Sequence, residues 1–315
     1  MLDSPLATLF VQAIPTAFFD LLAAAGLGAA LIAFVCECLA TSRKNAFLDK
    51  FALHLTTMSF WALLISIFAG TAALFVAGSK LPGLTQWLTT PVSPALPMAA
   101  TLGFTLLALA LYKFTWQNLR QNKGPHLALG ALVALATLGT FFASTIAIRG
   151  FTARFLAENA QDVFLTELLA PSGSPLFWPL AIASVLLCLT FGGGVGAAFL
   201  VHRRTRDDFG RDYYNYALPK ATLWALFPLV GLMGTGGWLY AVLPDTLLLS
   251  LRSYPLVCYA GSAPVLLTLA AACWLPVALS KQPLRLKGLT IVAGLLLWAL
   301  DTLLLTLLLI LAPTL

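Results

Sequence analysis

Charge is what this sequence has least of. Of its 315 residues only 10% are Asp, Glu, Lys or Arg, and just 12 are acidic. A soluble domain carries about 25% charged and 45–50% apolar residues, whereas 60% of this chain is apolar, so its surface cannot face water. That excludes a soluble enzyme. A disordered chain is excluded as well, because it needs the opposite balance of low hydrophobicity and high charge. The 18 basic residues give a net charge of +6, but they sit in short clusters between apolar runs and not along one face, so nucleic acid is not the partner. Phosphate-cradling glycine loops, His-Glu-x-x-His, Cys-x-x-Cys-His and hydrolase nucleophile elbows are all missing, and no metal site is expected. Cysteine is scarce too. Cys36, Cys38, Cys188, Cys258 and Cys273 lie in or at the edge of apolar runs and read as apolar fillers.

Long apolar runs are what the chain does have. Taking about 20 apolar residues per crossing, eight spans emerge at 16–40, 51–78, 95–116, 126–148, 175–201, 218–242, 257–279 and 288–311. The fold class is therefore an all-α polytopic membrane protein. Fourteen of the 18 basic residues fall between spans one and two, three and four, five and six, and seven and eight. The positive-inside rule makes that side cytoplasmic and puts both termini on the extracytoplasmic side. The segment before span one begins Met1-Leu2-Asp3 and lacks a basic stretch, so it reads as a retained helix and not as a cleaved signal.

The chain also repeats. Shifted by 163 residues, Arg43 falls on Arg206, Asp49 on Asp212, Phe51 on Tyr214, and Trp61-Ala62-Leu63 on Trp224-Ala225-Leu226. A four-span offset preserves orientation, so eight transmembrane helices are expected as two parallel-related four-helix bundles. Their boundaries would be 1–150 and 175–315, joined by an extracytoplasmic amphipathic connector over 151–174. That connector is either a simple link or a docking surface for an outside partner. The small-residue run Gly192-Gly193-Gly194-Val195-Gly196 in span five suits close approach of another helix, or of a flat cofactor. Residues 203–220, of mixed charge, read as an internally paired loop or docking surface.

Few residues inside the spans could carry chemistry. Asp20, Glu37 and Asp301 are acids within or at the edge of apolar runs, where a charge is costly and function is the default reading. Glu37 could instead reach the interface and pair with Arg43 or Lys44. Asp301 is the deepest, with no cation at its depth, and is expected to face a protein interior as a proton or quinone site, or as a hydrogen-bonded structural acid. The three histidines, His54, His126 and His202, all fall at the cytoplasmic edge. His54 and His126 are candidates for haem b ligation, since a haem in a bundle needs inward-facing axial ligands from facing helices. Contact with quinone, or a purely structural role, are the other readings.

The stretch Ala25-Gly26-Leu27-Gly28-Ala29-Ala30-Leu31-Ile32-Ala33-Phe34-Val35-Cys36-Glu37, followed by a short basic loop and Asp49-Lys50-Phe51, resembles the start of the large subunit of cytochrome bd-type quinol oxidases. The resemblance implies an N-out first helix, two four-helix bundles and a respiratory role. It also implies a histidine haem ligand in the outer part of the first helix, where this chain reads Thr16-Ala17-Phe18-Phe19-Asp20. The oxygen-reducing haems, and the long quinol-binding loop, are thus expected to be absent. In architecture the chain is also similar to the haem-free polysulfide-reductase-type membrane subunits. Together these imply a subunit of a bacterial respiratory complex in the inner membrane. It would exchange electrons or protons with quinone or menaquinone, beside cytochrome or iron–sulfur partner subunits and membrane lipids. Asp301 and Glu37 would handle protons or quinone; His54 and His126 would contact haem b or quinone. A transporter or permease built from parallel repeats, or a scaffold without chemistry, are the alternatives.

Overall fold

A computed structural model describes residues 5–80, 83–90, 93–119, 122–151, 175, 177–206, 209–243 and 245–311. The described residues form helices α1 (Pro5–Arg43), α2 (Ala46–Lys80), α3 (Leu84–Thr89), α4 (Ala95–Phe114), α5 (Lys123–Phe151), α6 (Phe177–Arg203), α7 (Gly210–Val242), α8 (Asp245–Arg252), α9 (Leu256–Leu279) and α10 (Lys287–Leu311). Eight of them are long and apolar enough to cross a membrane, and they coincide with the eight expected spans. The chain is a multi-pass membrane protein. Backbone groups in lipid must be satisfied within the segment, which is why the spans are uninterrupted helices. Pro15, Pro219, Pro228, Pro264 and Pro276 all lie inside helices that continue past them.

Two differences from the sequence reading stand out. The first helix is already formed at Pro5, ahead of the apolar span expected from residue 16, and continues through Pro15. The segment expected to be a loop over 203–220 is helical from Gly210 onward. Its tyrosines supply buried surface, with Tyr213 and Tyr214 almost completely enclosed. The connector over 151–174 lies outside the described residues beyond Phe151.

The helices pack as two rings. In one, α1 touches α2, α2 touches α4, α4 touches α5 and α5 returns to α1; in the other, α6, α7, α9 and α10 repeat that cycle. The 163-residue shift maps one ring onto the other, placing α2 (46–80) on 209–243, against an observed α7 of Gly210–Val242. Even the short helices obey it. Leu84 on α3 and Leu247 on α8 are 163 positions apart, and both are buried.

The rings meet where α1 crosses α6. A Cβ placed on Gly192 would lie 2.5 Å from the backbone nitrogen of Ala29, and one on Gly28 would lie 1.8 Å from the carbonyl oxygen of Cys188. Real Cβ atoms cannot come so close, so glycine here is required by backbone contact. Ala29 and Gly192 are counterparts under the 163-residue shift. Residues that touch their own counterparts mark the axis relating two parallel halves, as at any isologous contact. Of the two readings of the glycine run, helix packing is the one observed. Serines add hydrogen bonds between α2 and α1, Ser59 Oγ to the Gly26 carbonyl at 2.6 Å and Ser66 Oγ to the Phe19 carbonyl at 2.9 Å, the polar adhesion common between membrane helices.

Candidate functional site

The α1–α2, α4–α5, α6–α7 and α9–α10 connections share one end of the molecule, the basic face. Just below it, inside the first ring, lies a buried polar cluster. Glu37 belongs to the next-to-last full turns of α1 and is wholly enclosed. Tyr112 in the last turn of α4 and Trp116 in the turn just beyond it meet edge to face, ring centroids 5.4 Å apart. At the start of α5, Lys123 and His126 are three residues apart and present one face. Gly124-Pro125 follows Lys123, where proline fits a first turn.

Those two pairs converge on the carboxylate. Tyr112 donates its hydroxyl to Glu37 Oε2 at 2.5 Å, Lys123 Nζ donates to Oε1 at 3.1 Å, and His126 Nδ1 lies 2.6 Å from the same Oε1. His126 Nε2 is 3.0 Å from the Tyr112 carbonyl. Both ring nitrogens thus face acceptors. The imidazole stacks on Tyr112 with centroids 4.6 Å apart and meets the Trp116 ring edge to face, also at 4.6 Å. Lys123 bridges outward, donating to Asp49 Oδ1 at 2.7 Å from a position where both side chains are 22% exposed. A buried charge survives only when paired and hydrogen-bonded. Here both carboxylate oxygens are satisfied, and a charged route runs from the rim to the interior.

Sequence reasoning singled out Glu37 and His126 separately; the structure joins them. It corrects one expectation, since Glu37 pairs with Lys123 and His126 and not with Arg43 or Lys44. Tyr112, Trp116, Lys123 and Asp49 were missed. The only signal for them was the pair of helical spacings, Tyr112 to Trp116 and Lys123 to His126. His126, with both nitrogens engaged, offers none to an iron as it stands, and a haem does not fit there.

His54 is elsewhere. It points from α2 into the seam between the rings, where its Nδ1 lies 2.6 Å from the Tyr213 hydroxyl of α7. Phe209 and Tyr213 approach it edge to face at 5.3 Å, and Tyr214 stacks at 6.4 Å. The two histidines thus have different partners, His54 on α7 and His126 on α1 and α4.

Asp301 lies near the middle of α10 and is 5% exposed; its Oδ2 has no hydrogen-bond partner among the described residues. Its electrostatic neighbour is another acid, Asp20 on α1. Asp20 opens onto a cavity of about 360 Å³ shared with Ser66 and Gly70. Along α1, Asp20 and Glu37 are separated by about 25 Å, from 17 residues at 1.5 Å each. The two acidic sites therefore serve opposite halves of the bundle.

No protein-family model matches the sequence, and no curated protein does. Among solved structures, a chain of "The structure of bd oxidase from Geobacillus thermodenitrificans" superposes with a TM-score of 0.72, covering 96% of this chain and 85% of that one. The fold is that of a bd oxidase chain. Identity over the match is 14%, so the likeness carries the fold and not the chemistry.

Proposed function

We propose that this chain is an integral subunit of a bacterial respiratory electron-transfer complex, and that the Glu37 cluster exchanges protons with the quinone pool. The observation that carries the reading is a fully buried carboxylate, hydrogen-bonded by Tyr112, Lys123 and His126 and linked to the rim through Asp49, in a protein with the bd oxidase fold. By the positive-inside rule the basic face is cytoplasmic, which places the cluster at the inner side of the inner membrane with both termini outside.

Quinone or menaquinone would supply the carrier that takes up or releases electrons and protons together. The polar atoms of Tyr112, His126 and Glu37 are engaged with one another, so the cluster would pass protons to and from a quinone outside it and not hydrogen-bond the quinone itself. Asp49 and Lys123 hold the aqueous entrance. Tyr112 and Trp116 fix the imidazole in place, and His126 and Glu37 hold the proton between them. Asp301, with Asp20 at its outer side, is the second protonatable site. Haem b, on this chain or on a partner, and iron–sulfur groups on partner subunits would supply the electron carriers.

The test is purification of the complex from its native membrane through a tag on this chain. Cytochrome or iron–sulfur subunits are expected to co-purify, with a reduced-minus-oxidised b-type band. Glu37→Gln is expected to lower quinol-linked electron transfer at least about tenfold, a loss of about 1.4 kcal/mol in barrier terms, while that band stays. Loss of the band on His54→Ala would make this chain a haem carrier within that complex, whereas absence of any redox partner would favour transport and overturn the assignment.

A further inference from the structure

Away from the Glu37 cluster, a groove opens on the membrane-facing side between α1 and α7, with a volume of about 340 Å³. Cys36, Leu39 and Arg43 form its α1 wall and Lys220, Trp224 and Phe227 its α7 wall. Each set follows helical spacing, so each is one stripe. Both run from a cation at the basic face to apolar side chains deeper in the slab. From Arg43 to Cys36, and from Lys220 to Phe227, the depth is about 10 Å, a third of the roughly 30 Å hydrocarbon core. Leu39 and Phe227 are 37% and 72% exposed, which leaves the groove open to lipid along its length. Arg43 and Lys220 make no ion pair among the described residues.

The pattern occurs twice. A second groove, of about 390 Å³, is lined by Val201, Arg204, Leu284, Lys287 and Ile291. Again an arginine at the end of a central helix and a lysine on a neighbouring helix stand above apolar walls.

We propose that these grooves bind anionic phospholipids of the cytoplasmic leaflet, with the headgroup phosphate between Arg43 and Lys220 in one and between Arg204 and Lys287 in the other, and the acyl chains along the apolar walls. The rim cations of the first groove have no anionic partner among the described residues, with Lys220 only over the Tyr216 ring at 5.8 Å, and basic pockets between membrane helices on this side take acidic headgroups. The apolar depth selects a lipid over free phosphate, which would use only the rim. A quinone ring, being uncharged, would leave both cations without a partner.

Native mass spectrometry of the detergent-purified complex titrated with phosphatidylglycerol tests this. Each cation near a membrane surface is worth about 1 kcal/mol, so Arg43→Gln or Lys220→Gln alone should weaken one class of bound lipid about fivefold, and the double variant about 30-fold. Because the positions are exposed, quinol-linked activity and helicity should be unchanged, which separates a failure here from a failure of the respiratory assignment. Phosphatidylcholine should bind weakly and equally to wild type and variants, and 10 mM inorganic phosphate (about a hundredfold over lipid) should not displace phosphatidylglycerol. Equal phosphatidylglycerol binding by wild type and the double variant, or displacement by phosphate, would overturn the proposal.

Discussion

The two rings share helices, register and a central crossing, yet their basic ends differ. The residues 163 positions after Glu37, Tyr112, Lys123 and His126 are Leu200, Leu275, Leu286 and Leu289. Leu200 is as fully buried as Glu37. In the second ring hydrocarbon takes the buried place of the carboxylate, whereas Leu275 is 51% exposed and does not take the buried place of Tyr112; the fold holds that position of the central helix without a carboxylate. The cluster in the first ring is an addition to a scaffold that works without it, and additions that bury charge are kept for chemistry more readily than for stability.

The comparison can be broken most forcefully at Glu37 itself. Glu37→Leu strands Lys123 and His126 in a buried site, and removing one partner of such a pair costs about 3–5 kcal/mol; a thermal melt in detergent should show the largest drop of any single change described here. Next comes the crossing that holds the rings together. Gly192→Leu drives a side chain into the Ala29 backbone and should cost about 1–3 kcal/mol or more by overpacking, whereas the same change at Gly139, where a Cβ meets nothing within 4 Å, should be nearly neutral in the same melt. Tyr112→Phe removes one donor from a buried carboxylate oxygen, with an expected loss of about 1–3 kcal/mol and no change in oligomeric state on size exclusion. The smallest stability effect belongs to Lys123→Met at the partly exposed rim, under about 1 kcal/mol. If Lys123 gates protons, that variant should nonetheless slow quinol-linked turnover, so a melt and a turnover assay on it separate structure from function.

Much of the scaffold was legible in the sequence. Hydropathy marks the spans because lipid demands about 20 apolar residues per crossing, and Trp61-Ala62-Leu63 against Trp224-Ala225-Leu226 exposed the repeat that the rings later displayed. Gly192 and its neighbours announced a close helix crossing. Residues 210–220 were harder. Their charges and tyrosines resemble a loop, and only tertiary packing against His54 shows that Tyr213 and Tyr214 form an inward helical face. The site was legible only in fragments. Glu37 is separated from Tyr112 by 75 positions and from His126 by 89, and a single sequence holds no information on which distant residues meet. The pairing of Asp301 with Asp20, across nearly the whole chain, was hidden for the same reason.

The most direct test is to copy the second ring onto the first. Replacing Glu37, Tyr112, Lys123 and His126 together by leucine exchanges a buried polar network for apolar packing, a change that is often neutral or stabilising by about 1–4 kcal/mol. Measured on the tagged complex, the fourfold variant is expected to assemble with its partners and melt at or above the wild-type temperature, while quinol-linked proton uptake falls at least tenfold (about 1.4 kcal/mol). An assembled variant that takes up protons at the wild-type rate would contradict the assignment of the Glu37 cluster.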